Sequence, residues 1–126
     1  MIKQIFNVKH YWKVVVYYNV NYDLFDYIIS DLNSVIISRK TLNNIYYNMF
    51  TRRAKAVTAS NIKEHISVVL FNYHEDYYDY INSIVHEAEH IKQAMLKAYN
   101  IEDYGEPPAY TIGFLSKKML MMLKYL

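Results

Sequence analysis

Five consecutive residues, His86-Glu87-Ala88-Glu89-His90, set two imidazoles four positions apart, with a carboxylate directly after the first. On an α-helix, residues i and i+4 stand one above the other, so both rings can reach one metal ion from the same side. The glutamate beside the first ring then reaches a water at the ion's open position, the geometry of metal-activated hydrolysis. A hydrolytic zinc site needs three protein ligands and one open position. The chain has no cysteine, so the third ligand must be a histidine or a carboxylate. A glycine and a third histidine shortly after the motif would mark one class of such sites, but those positions hold Gln93 and Leu96. Glu106, at the start of the following helix, is the best remaining candidate, with Glu102 and Asp103 in the preceding loop as alternatives. His10, His65 and His74 lack any partner spacing and are expected as surface or loop imidazoles.

The motif must sit on a helix to work, and the pattern around it predicts one over 75–99. Asn72 with Glu75 three residues on fits an N-cap and capping box. An apolar stripe runs through Tyr77, Ile81, Ile84, Ala88, Ile91, Met95 and Ala98, a core-facing seam. His86 and His90 point away from that seam, in a row with Asp79, Gln93 and Lys97, and so face solvent or a cleft. A short connection over 100–105 leads to a last helix opened by Glu106-Pro107-Pro108, since proline suits the first helical turn. Its stripe is Pro108, Ile112, Leu115, Met119, Met122 and Leu126. Glu106, Tyr110, Gly113 and Lys117 fall on the other side. Met119, Met121 and Met122 read as core filler.

Upstream, Ile2–Val8 and 12–20 are rich in β-branched and aromatic residues and predict strands joined through Lys9-His10-Tyr11. Residues 22–32 predict a helix, and Ser38 caps a second one reaching Phe50. Strands over 56–60 and Ile66–Phe71 follow, around a polar turn at 61–65. Val15 to Ser30 echoes Val68 to Ser83 at a constant offset, through internal duplication or shared strand-to-helix grammar. The expected fold is one α+β domain over 1–126, an antiparallel or mixed sheet packed on helices. Residues 1–71 supply the strands with two helices, and 72–126 supply the metal-site helix pair.

Composition narrows the partners. The chain has 126 residues, 53% hydrophobic and 21% charged, which suits one globular domain. A net charge of +2 is too small to imply nucleic acid. Arg52-Arg53-Ala54-Lys55 reads as a solvated helix end complementing the dipole, with a phosphate or nucleic-acid site on Arg52, Arg53 and Lys55 as the less favoured alternative. The early apolar run Val14 to Tyr18 is too short for a membrane span or a signal peptide, so a soluble, unexported chain is expected.

The segment from Ser83 to His90, followed by Glu106-Pro107-Pro108-Ala109-Tyr110 and Gly113-Phe114, resembles small metallopeptidases of bacteriophages and Bacteroidetes mobile elements. Those proteins carry H-E-x-x-H and then E-x-x-A-Y-x-x-G-[YF] on the next helix. The resemblance covers about residues 56 to 119. It implies a small zincin-like domain of minimal gluzincin type, with Zn²⁺ on His86, His90 and Glu106 and with Glu87 as general base. Tyr110, one turn after Glu106, would stabilise an oxyanion or serve packing, and Gly113 would let the two helices approach closely. Ile66–Phe71, if at a sheet edge, would hold a protein or peptide substrate in extended form. Glu89 would be solvated or would accept from an imidazole N–H. The alternative is a catalytically inactive zincin-like scaffold, a virion or protein-interaction component with a phage or host protein partner. The expected location is the host cytoplasm or the virion.

Overall fold

Strand position in the sheet follows from how each strand alternates. In the computed structural model, which describes residues 1–9, 11–36 and 38–126, β1 (Ile2–Val8) alternates, with Phe6 and Val8 turned inward. β2 (Trp12–Tyr18) and β4 (Ile66–Phe71) are instead buried on both faces, which their near-continuous apolar runs require. β3 (Ala56–Asn61) is half-exposed along its whole length. The sheet is mixed, in the order β1-β2-β4-β3. The β1–β2 and β3–β4 hairpins are antiparallel, and β2 and β4 run parallel at the centre.

Helices cover both faces. Val14, Val16, Tyr18, Val69 and Phe71 pack under α3 (Tyr77–Tyr99) and α4 (Glu106–Leu120). Val15, Tyr17, Val68 and Leu70 pack under α1 (Phe25–Leu32) and α2 (Arg39–Phe50). The chain is thus two ββαα units, β1-β2-α1-α2 and β3-β4-α3-α4, with their helices on opposite faces. The echoed segments are offset by the same interval that sets the β2–β4 register, where Val15 pairs with Val68 and Tyr17 with Leu70. The two halves lie side by side, as a two-fold axis along the central strands would arrange them. The expected α+β fold with a mixed sheet is observed. Ile66–Phe71 is a central strand, however, not an edge. Its two-sided apolar run is the sign of that burial.

The helices of the second unit divide the sheet between them. α3 packs on β3 and β4, whereas α4 packs on α3 and on β1 at the opposite edge. Gln4 Nε2 donates to the Lys118 carbonyl at 3.0 Å, and the Phe6 and Phe114 rings meet edge-on at 6.4 Å. Gly113 does not mediate a close approach of helices: a methyl group there would meet no atom within 4 Å. No helix among the described residues is long and apolar enough to cross a membrane.

Candidate metal centre

α3 begins one turn later than its capping pattern predicts. Asp76 is the N-cap and accepts from the backbone N–H groups of Tyr78 (2.7 Å) and Asp79 (3.0 Å). Asn72 is buried and already committed, donating to the carbonyls of Met49 in the last turn of α2 (2.9 Å) and of Ala54 just beyond it (3.0 Å). Its amide ties the end of β4 to the other helical layer, so no capping box with Glu75 forms. At the far end Asn100 takes the left-handed conformation (φ 53°), and its N–H closes on Leu96 and Lys97. Ile84, Ala88, Ile91 and Met95 form the buried seam as expected. Tyr80 replaces Tyr77 in the first turn, and Tyr77 is exposed.

That seam fixes the rotation of α3 and with it the motif. His86 and His90 are exposed on the side of the helix that overhangs β3, and Glu87 is turned inward to 3% exposure. The two Nε2 atoms converge to 3.1 Å with their rings nearly perpendicular. Two nitrogen ligands about 2.05 Å from a tetrahedral ion lie about 3.3 Å apart, so the observed spacing fits a shared ion. Without an ion, one ring can donate its Nε2 proton to the other. Glu87 Oε2 lies 3.9 Å from His86 Nε2, and Thr58 Oγ1 of β3 donates to Glu87 Oε1 at 3.2 Å. Burial pushes the Glu87 carboxyl above the ordinary 4.5, while His90, His86 and the Thr58 hydroxyl pull the other way.

A cleft of about 380 Å³ opens between α3 and β3, walled by Lys55, Thr58, Asn82 and Ser83 beside the three motif residues. His74 is buried rather than on the surface. Its Nδ1 contacts the Asn72 carbonyl and its Nε2 the Ser83 hydroxyl, both at 2.7 Å. A carbonyl only accepts, so Nδ1 carries the proton. Ser83 therefore donates to Nε2 and turns its lone pairs to the cleft. Burial lowers the His74 pKa from 6.5, which favours this neutral tautomer. His65 stacks on Trp12 at 5.3 Å, and His10 lies outside the described residues.

His86, Glu87 and His90 are the one group among the described residues that brings three His, Asp or Glu donors together for a metal ion. Glu106 does not join them. With Tyr110 it lines a separate cavity against Val8 and Lys9, at the β1 side of the sheet. β1 and β3 stand three strand spacings apart, about 14 Å, and α3 lies between. Tyr110 is 73% exposed, so it is not a packing residue here either. Asp103 is held by Lys92 (3.0 Å) and Gln93 (2.7 Å), and Glu89 by the same two residues rather than by an imidazole. Thr58 and Ser83 carry no sequence spacing that marks them. Only the packing of α3 on β3 brings them in.

Fold and site together define a two-unit α+β domain with one His-Glu-His group able to hold a metal ion. No protein-family model, curated protein or solved structure matches the chain.

Proposed function

We propose that this is a zinc-dependent metallopeptidase of zincin-like type, with His86 and His90 holding the ion and Glu87 as the general base. The observation that carries the reading is the 3.1 Å convergence of two exposed Nε2 atoms beside a buried carboxylate. A divalent ion held there would lower the pKa of its water to about 7 and would polarise a carbonyl. Glu87, buried and steadied by Thr58, would take up and return the proton. Among the described residues β3 pairs only with β4, so its free edge borders the cleft and could accept an extended peptide as an added strand. This edge takes the role expected of Ile66–Phe71.

The position of Glu106 favours a second reading. With no His, Asp or Glu other than Glu87 joining the histidine pair among the described residues, a metal-binding or metal-free scaffold, acting as a virion or protein-interaction component, also fits the site. Zinc content and hydrolysis of a quenched fluorescent peptide mixture separate the two. The peptidase reading expects stoichiometric zinc, lost in His86→Ala. Glu87→Gln should keep the metal and lose turnover by roughly 10²–10⁴-fold. Bound zinc without turnover in the wild type would leave the scaffold.

A further inference from the structure

The modest net charge conceals a segregation. Residues 32–63 hold six of the fourteen Lys and Arg residues and none of the twelve Asp and Glu, so this stretch is +6 and the rest of the chain −4. α2 opens with Arg39 and Lys40 and has no acid in its first turn. Cations at the positive end of the helix dipole cost helix stability, and a residue choice that breaks a local rule points to function. Along α2, Arg39, Asn43, Tyr46 and Phe50 form one row and Lys40, Asn44 and Tyr47 the next, all exposed. Leu42, Ile45 and Met49 face the sheet instead. Tyr46 and Phe50 stack in parallel at 5.5 Å, and the Arg53 guanidinium lies 5.4 Å over the Tyr47 ring. Among the described residues, Arg39, Lys40, Arg52 and Arg53 have no carboxylate within 4.0 Å.

We infer that this face of α2, continued by Arg52, Arg53 and Lys55, binds single-stranded nucleic acid. The cations meet phosphates, and the more exposed Tyr47 and Phe50 offer stacking surfaces to bases, while Tyr46 packs on Phe25 and backs Phe50. Rows of cation, amide and aromatic fit a strand whose bases are free to stack, which a duplex does not offer. An anionic membrane would select aliphatic side chains between the cations, and this face has asparagines there. The surface is independent of the metal reading, although Lys55 also belongs to the wall of the histidine cleft.

Fluorescence anisotropy of a labelled oligothymidylate with the full chain tests the proposal. Four phosphate contacts, from Arg39, Lys40, Arg52 and Arg53, at a slope of about −0.7 each predict a loss of affinity of roughly fifty-fold between about 50 and 200 mM salt, since Lys55 is already paired with Asp79 at 3.4 Å. Arg39→Glu with Lys40→Glu should weaken binding at least ten-fold. Tyr47→Ala should weaken it by roughly five-fold or more while leaving the salt slope unchanged. His86→Ala should bind as the wild type does. Equal binding of duplex and single strand with no effect of Tyr47→Ala would overturn the inference. So would binding to phosphatidylserine vesicles without binding to the oligonucleotide, or no binding at low salt.

Discussion

At the residue scale, the site depends on one inward and two outward side chains within five positions. Glu87 can be buried because α3 rotates its seam onto the sheet, and the same rotation leaves the imidazoles over β3. His74 is the group with the clearest pH signature. Its folded pKa lies below the unfolded 6.5 because burial disfavours the imidazolium. Asp79 faces it and favours the charge, whereas Lys55 and Arg52 oppose it. The unfolded chain therefore binds more protons as the pH falls through 6.5, so stability rises with pH across that window. Urea denaturation should show constant stability above about pH 7 and a decline below it, opposed at lower pH by the buried Glu87 carboxyl, whose raised pKa acts in the other direction. His74→Asn should lower stability overall and remove that decline. An unchanged decline in the variant would assign it to another group.

At the scale of elements, most of what positions the site was written in local pattern. The double-sided apolar runs of β2 and β4, the seam from Ile84 to Met95, and Ser38 and Pro107 at helix starts all match the folded chain. The start of α3 did not, because Asn72 satisfies the capping pattern yet is drawn into a tertiary bond to Met49 and Ala54. Thermal or urea denaturation should follow the tertiary assignment. Asp76→Ala should cost about 1 kcal/mol, and Glu75→Ala close to nothing. Gly113, exposed in mid-helix with open space around it, should gain about 1 kcal/mol as Gly113→Ala.

At the scale of the whole molecule, sequence proximity was a poor guide. Glu106 opens the next helix and sits off its apolar stripe, but nothing local says on which side of α3 that helix will pack. The order β1-β2-β4-β3 decides it, placing α4 over β1 and the histidines over β3. The segment echo did carry long-range information, since its offset equals the central parallel register. Glu106→Gln should accordingly leave zinc affinity within about two-fold of the wild type, whereas a ligand at that position would cost far more. A competition titration with a chromophoric chelator reads the difference.

The most direct test is anomalous diffraction at the zinc edge from crystals of the full chain grown with zinc. The account predicts one strong peak about 2.0–2.1 Å from the Nε2 atoms of both His86 and His90, with Glu87 beside it. A fully occupied zinc elsewhere, with the two rings left sharing a proton at 3.1 Å, would contradict it.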